Sequence, residues 1–320
     1  MGEGPLIRIG TRGSPLALLQ TAQVEAVLAE PGYRTERCTL RTTGDVIRDV
    51  PLEQIGTTAI FTRELDDALL QGRIDAAVHS LKDLPTRLPD GIIVAAVGPR
   101  ENPADVFVSS RFQWEDVPVG ASVATSSVRR RAELLRARPD LDVVSIRGNI
   151  DTRLEILQST PSLAGTVLAA AGLIRLGLQD RISHYFLPEM LLPAPGQGVI
   201  AVTVRLDDEE TMTAVRCFHD SRVAAAVGAE RALLRALDGG CQVPVGALAE
   251  AQPAGDRWRV DLRARVVSLD GRRVVDATDS AMIDTIESAT SLGLGLADHM
   301  RGLGADEILR EVRASPSKDV

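Results

Sequence analysis

A cysteine on a glycine-rich turn is the residue of this sequence best suited to covalent chemistry. Cys241 stands in the segment 238–244, DGGCQVP, between a long Ala/Leu-rich helical pattern and a strand-rich stretch. The two glycines allow positive φ angles and leave the thiol uncrowded. A lone cysteine is commonly a small buried hydrophobe. Here the setting favours a displayed thiol, either a nucleophile or a covalent attachment point.

Three predicted helix starts carry arginines, and each follows a predicted strand. They are Arg12 with Ser14, the run Thr125–Arg131, and Arg147 with Arg153. Backbone N–H groups at a positive helix end, with guanidinium groups beside them, bind carboxylates and phosphates. Ordinary capping explains one such start. Three of them at the carboxyl ends of α/β strands indicate a ligand with several negative charges.

Lys82 and Asp83 follow the strand pattern 74–79. A surface ion pair explains these neighbours equally well. In a cationic cleft, however, a carboxylate stays ionised and can stabilise a developing cation or handle the protons of a nitrogen heterocycle. His79 is assigned to the strand rather than to catalysis. No glycine fingerprint for nucleotides is present, so a polycarboxylate ligand is favoured over a dinucleotide.

The composition narrows the class of protein. The formal net charge of −8 argues against nucleic-acid binding, and no apolar run is long enough to span a membrane. The start MGEGPLIRIG does not read as a signal peptide. Three cysteines without metal-type spacing fit a reducing cytoplasm and predict no metal site.

Strands and helices alternate in two consecutive stretches, which predicts α/β domains with parallel sheets. An α+β stretch of alternating strands and two helices follows. The predicted domains are 1–98 with 198–216, then 102–193, and finally 220–320, which carries Cys241. The segment 193–198, PAPGQG, is interpreted as a hinge-like connector.

With these residues assembled, the sequence resembles the porphobilinogen deaminases, also called hydroxymethylbilane synthases. The resemblance is dense to about residue 250 and weak beyond it. Its motifs are TRGSPLALLQ at 11–20, AAVHSLKDLP at 76–85, VATSSVRRRAEL at 123–134, IRGNIDTRL at 146–154, LAAAGLIRLGL at 168–178, LPAPGQG at 192–198 and AERALLRALDGGCQVPVGA at 229–247.

The resemblance implies two domains like those of periplasmic binding proteins around a cleft, and a small α+β domain that carries the cysteine. It implies a dipyrromethane cofactor, held by a thioether to Cys241 and made from the substrate. Four porphobilinogen molecules lose ammonia and extend this primer, and water then releases linear hydroxymethylbilane for tetrapyrrole (haem) synthesis. The resemblance further implies a cytoplasmic monomer.

The family's functional residues match positions of this chain. Asp83 matches the catalytic aspartate, which handles the pyrrole nitrogens and stabilises the cation left when ammonia departs. The implied cofactor contacts are Cys241, Ser80, Lys82, Asp83, Thr125, Ser126, Ser127, Arg129, Arg130, Arg147 and Gln197. The implied substrate contacts are Arg12, Ser14, Arg147, Arg153 and Arg175. One departure is the loop 56–59, GTTA, where many relatives have a Gly-Lys-Gly type sequence.

Two alternatives belong to other classes. A non-catalytic anion-binding module of the same two-domain architecture would close on a small anion, but it needs neither a displayed Cys241 nor Asp83. A thiol transferase would turn over covalent intermediates on Cys241, but the sequence shows no basic partner for that thiol.

Overall fold

The computed structural model describes residues 5–42, 62–237 and 243–314. The chain divides into two compact units, Met1–Glu101 with Gly198–Ala224 and Asn102–Gln197 with Ala225–Val320. The cysteine turn 238–242 and the loop 56–59 lie outside the described residues.

The strands of the described residues are β1 (Leu6–Arg12), β2 (Arg34–Leu40), β3 (Ala76–Ser80), β4 (Ile92–Val97), β5 (Asp105–Val108), β6 (Ser122–Ala124), β7 (Asp142–Val144), β8 (Leu163–Ala169), β9 (His184–Tyr185), β10 (Ile200–Arg205), β11 (Val245–Ala254), β12 (Arg257–Val267) and β13 (Val274–Ile283). The α-helices are α1 (Pro15–Ala29), α2 (Arg63–Leu70), α3 (Val128–Ala137), α4 (Ile150–Ser159), α5 (Ala170–Arg175), α6 (Glu209–Val215), α7 (Ser221–Ala236), α8 (Ile286–Gly302) and α9 (Ala305–Ala314).

The first unit is built on a five-stranded sheet in the order β2-β1-β3-β10-β4. β1 runs parallel to β2 and β3, whereas β10 lies antiparallel between β3 and β4. The prediction of a parallel sheet is therefore wrong for β10. This strand joins the sheet after a long excursion of the chain, and its apolar pattern carries no information about direction. Val24 and Leu28 of α1 and Ile9 of β1 are buried in the core of this unit.

The second unit contains two sheets. One has the order β7-β6-β8-β5-β9, with β6 parallel to β7 and β8, and with β5 antiparallel to β8 and β9. Here too the predicted parallel sheet is only partly correct, because the apolar pattern of β5 carries no information about strand direction. Helices α3, α4 and α5 follow β6, β7 and β8, so that all three begin at one edge of the sheet.

The other sheet is the antiparallel meander β11-β12-β13, and its core includes Leu233 of α7, Leu262 of β12 and Leu296 of α8. Two α/β sheets and a smaller α+β element confirm the predicted fold class. The division into three domains stays a prediction.

The predicted hinge-like connector is a buried strap, and we use that word for Leu192–Gln197. Within the second unit, Pro193 O accepts a hydrogen bond from Ala247 N at 2.9 Å, and Gly196 N donates to Glu230 Oε2 at 2.6 Å. Gln197 Nε2 donates to Pro103 O at 2.7 Å. Proline and glycine suggested looseness, but partners distant in the sequence fix this stretch to the second unit up to Gln197.

Helices α7 and α8 approach each other closely at Gly293. An ideal Cβ there would lie 2.4 Å from Ala229 O and 2.7 Å from Ala232 Cβ, whereas a Cβ at the exposed Gly295 meets nothing within 4 Å. We expect Gly293→Ala to destabilise the protein by about 1–3 kcal/mol through overpacking. Gly295→Ala should stabilise it by about 0.5–1 kcal/mol through helix propensity. Urea unfolding of both variants measures the difference, and equal effects would contradict this packing.

Candidate functional site

The first predicted helix start forms as expected at the carboxyl end of β1. Ser14 is the N-cap of α1, its Oγ accepts a hydrogen bond from Ala17 N at 3.3 Å, and Pro15 is the first helical residue. Arg12, the last residue of β1, is partly buried. Because β1 and β3 are parallel neighbours, the segments that follow both strands leave the same edge of the sheet.

The segment after β3 presents two charged groups on a short turn. Leu81–Asp83 forms one turn of 3₁₀ helix, with Leu81 buried and its N–H donating to Val199 O at 2.9 Å. Lys82 is partly buried and Asp83 is exposed. Ser80 is tied to α1, since Gln20 Nε2 donates to its Oγ at 2.8 Å. The apolar anchor therefore directs Asp83 outward at this edge.

His79 is a structural residue of β3, as predicted. It is buried, with its Nε2 3.2 Å from Thr203 Oγ1 on β10. Burial, together with the nearby charge of Arg12, lowers the pKa of His79 to about 3. The imidazole is therefore neutral at pH 7 and packs rather than exchanging protons.

The second and third helix starts are joined to each other in the second unit. Ser127 caps α3 by accepting from Arg130 N at 3.4 Å. Ser126 Oγ lies 2.9 Å from Ser145 Oγ and accepts from Ile146 N at 3.0 Å. Because Ser145 and Ile146 lie in the segment between β7 and α4, these bonds hold the amino ends of α3 and α4 side by side. Two of the predicted anion-binding starts are thus neighbours.

The start of α4 is shaped by a glycine and an asparagine. Gly148 has a φ of +106°, a backbone conformation that residues with a side chain rarely adopt. Asn149 is the N-cap, with its Oδ1 accepting from Thr152 N at 2.9 Å. Arg153 Nε donates to Gly148 O at 2.9 Å, which holds the arginine over the helix start.

Asp105 is a buried carboxylate at the start of β5, and two arginines of α3 surround it. Arg129 Nη1 lies 2.6 Å from its Oδ2, and Arg130 Nη2 lies 2.7 Å from its Oδ1. Gln197 Nε2 donates to Oδ1 at 3.0 Å. Burial alone would raise the pKa of Asp105, but the charges of Arg129 and Arg130 and the hydrogen bonds of Arg129 and Gln197 hold it far below its ordinary value.

No sequence motif marks Asp105, and the family resemblance implies only cofactor carboxylates as partners of Arg129 and Arg130. The structure shows that both arginines are buried and make ion pairs inside the protein. Gln197 is buried on the same carboxylate. A usable signal existed, since a charged residue at the head of an apolar strand needs a charged partner. Two guanidiniums against one carboxylate leave one net positive charge.

The remaining predicted residues differ in their surroundings. Thr125 is buried and its N–H donates to Val144 O at 2.8 Å. Arg147 is partly buried and makes no ion pair with any residue that the structure describes. Arg175 lies in the last turn of α5. This helix follows β8, which is the sheet neighbour of β6. Cys241 lies outside the described residues.

In each unit taken by itself, the described residues at the strand edge suit an anionic group. They combine capped helix starts, hydroxyl groups and a surplus of guanidinium groups, which is the donor set that carboxylates require. Within the described ranges, no cluster of three His, Cys, Asp or Glu side chains could hold a metal ion. No helix of those ranges is both long and apolar enough to cross a membrane.

We expect Asp105→Asn to destabilise the protein by about 3–5 kcal/mol at pH 7, because two buried guanidiniums lose their counter-charge. The matched control is Asp140→Asn, since Asp140 and Arg138 form a solvent-accessible pair with side chains 27% and 24% exposed. That change should cost about 0–1 kcal/mol.

Urea unfolding at several pH values tests the charge directly. Because the pKa of Asp105 is lowered by folding, its stabilisation is complete above the unfolded pKa of about 4 and is lost as the pH falls below it. The gap between wild type and Asp105→Asn should therefore narrow in acid. A gap that is small at pH 7, or that does not change with pH, would contradict the charge balance.

The chain matches known protein families over most of its length. Residues 7–213 match the family model described as porphobilinogen deaminase, dipyromethane cofactor binding domain, and residues 224–302 match the model of the C-terminal domain of porphobilinogen deaminase. Among solved structures, the chain is similar to a nutrient-binding protein from Burkholderia cenocepacia bound to methionine. The TM-score is 0.43 and the identity 14%, over 67% of this chain and 92% of that one.

Two curated relatives carry the same family name. The porphobilinogen deaminase of Geobacter metallireducens is 44% identical over 308 residues, which cover 96% of this chain and 94% of that protein. The porphobilinogen deaminase of Desulforudis audaxviator is 47% identical over 309 residues, which cover 96% and 97%. With both family models matched and relatives of this identity along nearly its full length, the chain belongs to the porphobilinogen deaminase family.

Proposed function

We propose that this chain is a hydroxymethylbilane synthase, a transferase of tetrapyrrole biosynthesis. It condenses four porphobilinogen molecules in turn onto a covalently bound primer, releases one ammonia with each, and frees the linear hydroxymethylbilane by hydrolysis. The observation that carries the proposal is the family match over residues 7–213. That range contains Asp83 and the joined starts of α3 and α4.

The cofactor of the family is a dipyrromethane, and we propose that a thioether to Cys241 holds it. When bound, it supplies the free pyrrole carbon to which each new unit is added. Its acetate and propionate groups need cationic partners. The proposed contacts are Ser80, Lys82, Asp83, Thr125, Ser126, Ser127, Arg129, Arg130, Arg147 and Gln197.

The geometry of the second unit supports different roles among these contacts. Arg147 makes no ion pair within the described ranges, so its charge is available to an incoming carboxylate. Arg129 and Arg130 share Asp105 and contribute positive charge at the start of α3. Gln197 is buried against Asp105 and acts through that carboxylate.

Substrate carboxylates are proposed to contact Arg12, Ser14, Arg147, Arg153 and Arg175. Arg12 ends β1 and Ser14 follows it, and β1 is the sheet neighbour of β3, the strand that precedes Asp83. The start of α4 provides backbone N–H groups beside Arg147 and Arg153. Helix ends and arginine forks together bind carboxylates without needing a metal ion at the contact.

Asp83 is proposed as the catalytic residue. Ammonia leaves the aminomethyl group of porphobilinogen and a positive charge develops on the methylene carbon and the pyrrole nitrogen. An ionised carboxylate at the pyrrole N–H stabilises that charge. Asp83 is exposed on a turn whose backbone is anchored by Leu81, so its carboxylate can reach substrate without a rearrangement of the strand.

An anion-binding module without catalysis would explain the helix starts but not the family match. We further propose that the protein is a cytoplasmic monomer that binds neither nucleic acid nor membranes, in line with its charge of −8 and its odd cysteine count. Its proposed domains are 1–98 with 198–216, 102–193 and 220–320.

We expect Asp83→Asn to convert porphobilinogen about a hundred to ten thousand times more slowly than wild type, because the carboxylate charge is lost at the reacting centre. The variant should still fold and acquire the covalent primer. The exposed Asp90→Asn, seven positions further along the chain, is the control and should keep wild-type turnover. Formation of hydroxymethylbilane from purified enzyme is the measurement. Near-normal turnover of Asp83→Asn would show that the catalytic carboxylate is misassigned.

A further inference from the structure

A buried ion pair fastens α3 to β12 within the second unit. The side chains of Arg265 and Glu133 are 2% and 1% exposed. Arg265 Nη1 lies 3.2 Å and 3.1 Å from the two carboxylate oxygens of Glu133. The same guanidinium donates through Nε to Asp276 Oδ2 on β13 at 2.6 Å. None of these three side chains has a role in the function proposed above.

Glu133 stands one helical turn after Arg129, and both residues bind Leu192 of the strap. Arg129 Nη1 donates to Leu192 O at 2.7 Å. Leu192 N lies 3.4 Å from Glu133 Oε1 and donates to it. Both backbone polar groups of Leu192 are therefore held by α3. Arg129 in the first turn binds its carbonyl oxygen, and Glu133 binds its N–H.

The first residues of β11 pack on the same part of the strap. An ideal Cβ at Gly246 would lie 2.7 Å from Leu192 O, and Ala247 N donates to Pro193 O at 2.9 Å. Gly246 is directly opposite Arg265 in the β11–β12 register. Because Val245, the first residue of β11, comes four positions after Cys241 in the sequence, the strand that follows the cysteine begins against the strap.

We propose that Glu133 and Arg265 are positioning residues for attachment of the primer. The pair holds β12 on α3, and β12 is the sheet neighbour of β11, the strand that follows Cys241. It therefore links that strand to the helix whose first turn is proposed to bind the primer's carboxylates before any primer is attached. In the attachment, the Cys241 sulfur forms a C–S bond with the methylene carbon that ammonia has left. The thiol proton leaves with that ammonia as ammonium.

This inference rests on the proposed function and predicts a difference between two stages. Misplacement of reacting groups by about 1 Å can slow a reaction about a hundredfold. Once attached, the primer itself joins the cysteine to the carboxylate-binding residues and takes over the role of the ion pair. Loss of the pair should therefore slow attachment to the apoprotein much more than it slows later elongation.

The test is a time course of intact mass after porphobilinogen is added to apoprotein. We expect Glu133→Gln to acquire the primer at least about tenfold more slowly than wild type. Once it carries the primer, the variant should elongate within about threefold of the wild-type rate, because the ion pair no longer positions the reacting groups at that stage. Arg263→Gln is the matched control, because Arg263 lies on the same strand and pairs with Asp276 at 3.1 Å in a more exposed position. It should load at the wild-type rate.

Equal loading rates of Glu133→Gln and wild type would overturn the inference, even if the variant melts at a lower temperature. If Glu133→Gln does not fold, the loading rate of Arg265→Lys is measured instead. That substitution keeps the charge but not the forked geometry, and a wild-type loading rate for this folded variant would also overturn the inference. A wild-type protein that gains no adduct at all would instead contradict the proposed function.

Discussion

Asp105 is removed from water, and two guanidinium groups together with one amide make that burial tolerable. An isolated carboxylate in such a place would cost several kcal/mol. Arg129 and Arg130 repay this cost by ion pairs of 2.6 and 2.7 Å, and in return their own positions are fixed. The start of α3, which we propose to bind anions, is therefore positioned by an internal charge balance. Such preorganisation lowers the cost of binding a polyanion.

The same charge balance extends through the strap to the other elements of the second unit. Gln197 at one end of the strap binds Asp105, and Leu192 at the other end accepts from Arg129. Between them, Gly196 donates to Glu230 of α7, a buried residue whose other carboxylate oxygen accepts from Ala249 N on β11 at 2.8 Å. α7 leads into the cysteine segment and β11 leaves it. Through the strap, α7 and β11 are thus both tied to α3, the helix that carries the proposed carboxylate-binding arginines.

Local features of the sequence predicted much of this arrangement. The helix cap at Ser14, and a cap at either Ser126 or Ser127, follow from neighbouring residues. The rule that parallel strands end at a common edge anticipated that the starts of α3 and α4 would be close. What depended on distant partners was missed. The direction of β10, the burial of the strap and the pairing of Arg129 with Asp105 all arise from residues far apart in the chain, which periodicity and capping signals do not connect.

We propose that Cys241 permanently anchors the primer and that arginines at the helix starts bind the primer's carboxylates. The most direct measurement is the intact mass of the purified protein beside that of Cys241→Ser. The wild-type mass should exceed the polypeptide mass by two linked pyrrole units, and this excess should persist through turnover with porphobilinogen. The Cys241→Ser variant should lack it. A wild-type mass equal to that of the bare polypeptide, or an adduct retained in Cys241→Ser, would contradict permanent attachment of a primer to Cys241.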